Sequence, residues 1–138
     1  MKGTRILATQ KNISFSKEIV KSLPLALKKR LPKEIGIIEV SVQESLKLNR
    51  IYRGKKKPTN VLSFRYGQEY GEIIICPAVI RREAKEQGNS QAFQMTWMIV
   101  HGMLHLAGMH HEKSARMAEK VERIEQGVLA VFLEKNKK

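Results

Sequence analysis

The sequence predicts one compact α/β domain, with short strands and helices around one central, buried helix that carries histidines. Three observations predict it. Two short apolar runs, VLSF (61–64) and EIIIC (72–76), flank YGQEYG, a segment able to turn a hairpin. Segments with apolar residues at helical spacing alternate with these strand-like runs. From Phe93 to Gly108 no side chain other than the histidines can carry a charge, so this helix is apolar on every face and belongs inside the domain. The chain has 138 residues, 42% of them apolar, which suits one domain with one core. Neither a repeat nor a linker divides it.

Taken in order, TRILAT (4–9) reads as a short strand. Ser14 or Ser16 caps a helix with apolar residues at Phe15, Ile19, Leu23 and Leu27, and Pro24 inside that pattern predicts a kink or an early stop. Ile38, Val40 and Val42 alternate with Glu39 and Ser41, the period of a half-buried strand. ESLKLNRIYR (44–53) is helical and ends at Gly54, and GKKKPTN (54–60) is a loop. Pro77 suits the first turn of a helix running to Gln87, with Gly88 as its stop. Asn89 or Ser90 caps the central helix, and Gly108 closes it. Met117, Val121, Ile124, Val128 and Val131 mark a last amphipathic helix that covers the core.

The strongest bias is electrostatic. Lys and Arg number 26 against 13 Asp and Glu, a formal net charge of +13, which favours polyanionic partners such as nucleic acid or an anionic membrane face. Cys76 is the single cysteine, so no intramolecular disulfide forms, and its apolar strand predicts a small buried side chain. MKGTRILATQKN lacks the apolar core of a signal peptide, and no apolar run reaches the roughly 18 residues of a membrane span. The expectation is a soluble, cytoplasmic protein in a reducing compartment.

All 4 histidines fall in VHGMLHLAGMHHE (100–112). His101 and His105, four apart on a helix, direct their imidazoles from one face. Gly108 lets the chain turn back, and the H-x3-H-x2-G-x2-H spacing, as in metzincin-type zinc sites, points to His111 as the third ligand, with His110 one residue off as the alternative. Three protein ligands leave a position open for water, the mark of a catalytic metal site. Zinc fits three imidazoles, as do nickel and copper. Zinc proteases carry a glutamate after the first histidine, which shuttles a proton to the leaving amine; here that residue is Gly102. A phosphodiester makes a different demand, because charge accumulates on its phosphoryl oxygens and calls for a metal ion and a guanidinium. The missing glutamate and the basic charge both favour phosphodiester hydrolysis. No acidic pair has the spacing of a two-metal nuclease, so a single ion is expected. Ser63 reads as a strand serine and Trp97 as a core residue.

HGMLHLAGMHH (101–111) resembles the H-G-x-L-H-L-x-G-x-D-H signature of the YbeY endoribonucleases, bacterial proteins of ribosomal RNA maturation. LNRIYRGKKKPTNVLSF (48–64) resembles that family's L-N-x-x-Y-R-x-K-D-x-x-T-D-V-L-S-F block, and GEIIICP (71–77) its G-D-I-x-I-C-P strand. The resemblance covers about residues 40 to 130 and implies an α+β fold, a small mixed β-sheet packed with helices around the central histidine helix. It implies that His101, His105 and His111 hold one zinc ion, and that Arg53 is the functional arginine beside it. Lys55, Lys56 and Lys57 become RNA-backbone contacts. It implies metal-dependent cleavage of single-stranded RNA in maturation of the 3-prime end of small-subunit ribosomal RNA and in ribosome quality control. The competing readings are a ribosome-associated RNA-binding factor with a structural metal, and a metalloprotease using a base such as Glu112. Four positions depart from the family pattern: His110, Lys56 and Asn60 stand where it has aspartates, and Arg65 where it has a proline.

Overall fold

Four strands form one sheet in a computed structural model of the chain, which describes residues 3–8 and 16–135, with side chains through Phe132. They are β1 (Arg5–Ala8), β2 (Glu34–Glu39), β3 (Val61–Arg65) and β4 (Tyr70–Ile75), in the spatial order β1-β2-β4-β3. β1 and β4 run parallel to β2, while β3 and β4 form the predicted antiparallel hairpin with Ser63 opposite Ile73. The sheet is therefore mixed, as the family resemblance implies. Its core face carries Ile35, Ile37, Ile73 and Ile75, each at most 1% exposed. Cys76 is buried just past β4.

The strand predicted around Ile38, Val40 and Val42 lies earlier, at Glu34–Glu39, and Val42 is instead the first residue of α3 (Val42–Arg53). A capping box explains the shift. Ser41 Oγ accepts from the Glu44 amide, and the Glu44 carboxylate accepts from the Ser41 amide, so the helix starts where the alternation still continued. Thr9, Ser14 and Phe15 lie outside the described residues. At Pro24 the chain stops rather than kinks: α1 (Ser16–Ser22) ends, and a single turn, α2 (Leu25–Lys28), begins beyond it.

α4 (Pro77–Gln87) ends at Gly88 with φ +72, as predicted. α5 (Gln91–Leu106), capped by Ser90 Oγ on the Phe93 amide, packs against β3, β4, α1, α4 and α6 (Ala115–Lys135). Ile99, Val100, Met103, Leu104 and Leu106 are all at most 1% exposed. Burying such a side chain contributes roughly 1.5–3 kcal/mol, far more than helix propensity differences, so packing and not propensity holds this helix. In α6, Val121 and Val128 are buried, but Val131 is 48% exposed, and Leu129 and Phe132 take its place. At about 100° per residue, Val131 lies about 80° off the stripe begun at Val121, whereas Phe132 returns to within about 20°.

The end of α5 is a Schellman motif. The Gly108 amide donates to the His105 carbonyl and the Met109 amide to the Leu104 carbonyl, each at 3.0 Å, with Gly108 at φ +88. A Cβ on Gly108 would also stand 3.1 Å from Arg30 Nη2. Gly108→Ala is expected to lower stability by about 1–2 kcal/mol through left-handed strain alone. Urea denaturation checks it, and an unchanged midpoint would contradict the strain.

Candidate metal centre

The helical spacing of His101 and His105 places both on one wall of a cleft of about 790 Å³ formed by α3, β3, α5 and the segment leading into α6. His111 also lines it, entering from a single 3₁₀ turn (His111–Lys113) after the Gly108 reversal. The His101 and His111 ring centroids are 4.9 Å apart, and those of His105 and His110 are 4.2 Å apart. All four imidazoles are thus neighbours. The tightest donor set differs from the triad read from spacing: nitrogen or carboxylate donors of His105, His110 and Glu112 lie within 4.8 Å of one another. His110 Nδ1 is 3.0 Å from His105 Nε2, and Glu112 Oε2 is 3.1 Å from His111 Nδ1. His105 is common to both sets.

Burial, then the neighbouring His110, pushes the His105 imidazole below its ordinary pKa against the pull of Glu112. The shift favours the neutral imidazole, the form that binds a metal. Burial pushes Glu112 upward, yet its own backbone amide and the imidazoles of His111, His105 and His110 outweigh this and hold it ionised. A carboxylate beside imidazoles is a donor set suited to a divalent cation.

Glu125 is the residue the motif did not reveal. It is 5% exposed on α6, and both its oxygens are engaged: Oε2 with His101 Nδ1 at 2.5 Å, Oε1 accepting from Trp97 Nε1 at 3.0 Å. Holding Nδ1 leaves Nε2 of His101 as the free donor, the carboxylate–histidine arrangement that orients metal ligands. A signal existed, since Glu125 interrupts the apolar face formed by Val121, Val128 and Phe132. Trp97, expected as a core residue, is half-buried, lines the cleft and braces this carboxylate.

Gly102 has a steric reason as well as a chemical one. A Cβ there would lie 2.8 Å from Ile73 Cγ2 and 3.0 Å from Ser63 Oγ. Position 102 faces the sheet, and Ser63 Oγ donates to its carbonyl at 3.3 Å, so the Cβ of any larger residue there would press on the hairpin.

Arg53, the last residue of α3, lines the same cleft as His101, His105 and His111, and so does Lys55. Lys56 and Lys57 are exposed and do not line it. The loop that carries them is pinned by two buried polar residues of α3. Ser45 exchanges hydrogen bonds with the Thr59 backbone at 2.7 and 2.8 Å, and Asn49 Nδ2 donates to the Lys57 carbonyl at 2.8 Å. Asn60 donates to Glu83 at 2.8 Å, a bond an ionised aspartate could not make.

Fold and site together define a small α+β domain whose imidazoles and carboxylates can hold a metal ion beside an arginine. The family model for endoribonuclease YbeY matches residues 2–132. The Thermotoga neapolitana endoribonuclease YbeY is 41% identical over 111 residues, covering 76% of this chain and 74% of the relative. That of Halorhodospira halophila is 43% identical over 109 residues, covering 72% and 70%. The solution structure of TM1509 from Thermotoga maritima superposes with a TM-score of 0.65 at 29% identity, covering 96% of this chain and 93% of that one. The chain belongs to the endoribonuclease YbeY family.

Two expectations follow from the packing around the site. Glu125→Ala frees the His101 ring and should weaken divalent-metal affinity by about 10–100-fold, read by competition with a chromogenic chelator. Gly102→Ala should cost about 1–3 kcal/mol by overpacking against Ile73, seen in thermal melts; a neutral result would mean that α5 can back away from the sheet.

Proposed function

We propose that the chain is a zinc-dependent endoribonuclease that hydrolyses phosphodiester bonds of single-stranded RNA, with His101, His105 and His111 as the metal ligands and Arg53 as the phosphate-binding residue. The observation that carries this reading is that Arg53 and all three histidines line one cleft. Bound zinc would supply Lewis acidity and a water whose pKa falls to about 7. Glu125 engages Nδ1 of His101, so Nε2 would be the nitrogen that holds the ion. Arg53 presents a planar fork that pairs two phosphoryl oxygens and cannot lose its charge as negative charge builds on them. Lys55 adds a cation on the approach to the same cleft. Glu112, ionised and exposed beside the imidazoles, is the carboxylate available to take a proton. The whole chain acts as one domain, in the cytoplasm, on ribosomal RNA of the small subunit, in 3-prime-end maturation and in ribosome quality control. The family membership and the +13 charge support that assignment.

A second ligand set, His105, His110 and Glu112, is favoured by the proximity of its donors. Metal analysis separates the two. Under the first set, His111→Ala loses the ion and His110→Ala keeps it; the reverse outcome selects the second. Arg53→Ala should retain metal and fold while cleavage of single-stranded RNA falls by roughly 10²–10³, the scale of removing one transition-state donor. Undiminished cleavage would remove Arg53 from the mechanism. In cells, the same variant should accumulate small-subunit ribosomal RNA with an extended 3-prime end.

A further inference from the structure

A second cleft, of about 1040 Å³, opens on the other side of His105. His105 and Ser63 line both clefts, so the two meet at the metal centre. The second is lined by Lys28, Lys29, Arg30, Lys33 and Arg65, and by no carboxylate. Lys33 pairs with Glu69 at 3.4 Å, but among the described residues no ion pair engages Lys28, Lys29 or Arg30. Such uncompensated charge repels itself and is stabilised only by an anionic occupant or by counterions.

The cleft is also built. Arg65 Nη1 donates to the Leu106 carbonyl at 2.6 Å and to the Arg30 carbonyl at 2.5 Å, and Nε donates to the Gly67 carbonyl at 2.8 Å. These bonds clamp the turn that follows α2, with its run Lys28-Lys29-Arg30, to the end of the histidine helix. Arg30 in turn lies over Gly108, where a Cβ would come within 3.1 Å of its Nη2. Arg65 stands where the family resemblance expects a proline, which has no side-chain donor for such a clamp. The basic turn is thereby held at a fixed place relative to His105.

We propose that this second cleft binds the sugar–phosphate backbone of the single-stranded RNA as it leaves the metal centre, with Lys28 and Lys29 contacting phosphates and Arg65 as the positioning residue that holds their turn. The proposal rests on the reading of the metal cleft as the place where RNA is cut, and it extends the substrate contact to the side opposite Arg53. An extended polyanion is favoured over a small anion because the cations are distributed along a cleft continuous with the site, with none enclosed as a pocket for one phosphate.

The test uses metal-loaded full-length protein, a long unstructured RNA and a short oligonucleotide of the same sequence. Binding of labelled RNA is followed by fluorescence anisotropy across a salt series, alongside cleavage kinetics. Lys28→Gln/Lys29→Gln should reduce the log–log salt slope of affinity for the long RNA by about 1.4, two single-strand phosphate contacts at roughly 0.7 each. KM for the long RNA should rise more than KM for the short one, with kcat little altered. Arg65→Ala should reproduce the KM effect and Arg65→Lys restore part of it, the melting temperature reporting any loss of fold. An unchanged salt slope, or an equal loss on long and short RNA, overturns the proposal while leaving the endonuclease reading intact. Lysine-dependent binding by a wild type that never cuts RNA would overturn the nuclease reading and leave the cleft as an RNA-binding surface.

Discussion

The close approach of α5 to the β3–β4 hairpin at Gly102 is the constraint from which the rest of the site follows. Without a side chain there, the helix backbone lies against Ile73 and Ser63, and the positions that flank this contact border the clefts. His101 and His105, half-buried, flank that contact; both line the cleft that holds Arg53, and His105 also lines the basic cleft. A larger residue at 102 would lift the helix and move both imidazoles with it. The glycine thus sets how closely the helix lies on the hairpin, and it supplies no carboxylate at the position where zinc proteases carry one.

Polar contacts then take over where apolar packing ends. Glu125 is buried with both oxygens engaged, and it ties α6 to α5 through His101 and Trp97. Burial of an unpaired carboxylate would be costly, so its two partners and its location are inseparable. On the opposite side, Ser45 and Asn49 anchor the lysine loop, and Arg65 anchors the basic turn after α2. Both of these basic segments are held by side-chain contacts to backbone carbonyls, and these set where the charge sits relative to the imidazoles.

Much of the fold was legible in the sequence because local rules decide it. Pro77 at the first turn of α4, Gly88 and Gly108 at left-handed positions, and the serine cap of α5 are all short-range effects of φ restriction and side-chain capping. The failures are equally physical. The alternation at Ile38, Val40 and Val42 was real, but a reciprocal cap at Ser41 and Glu44 outweighed it. Val131 fits three-residue steps, but the drift of the helix repeat carries it out of contact and brings in Phe132.

The sequence by itself determined the buried histidine helix and the gathering of its histidines, because a spacing of four on a helix and a glycine reversal are geometric facts independent of the remainder of the chain. Which groups stand around those histidines was decided only by tertiary structure. Glu125 comes from 24 residues away in sequence, Ser63 from 39 and Arg65 reaches a carbonyl 41 residues distant. Such contacts depend on how α6, the hairpin and the turn after α2 pack on α5. Packing is a collective result of apolar burial, and no local pattern encodes the partner that a buried polar group will find.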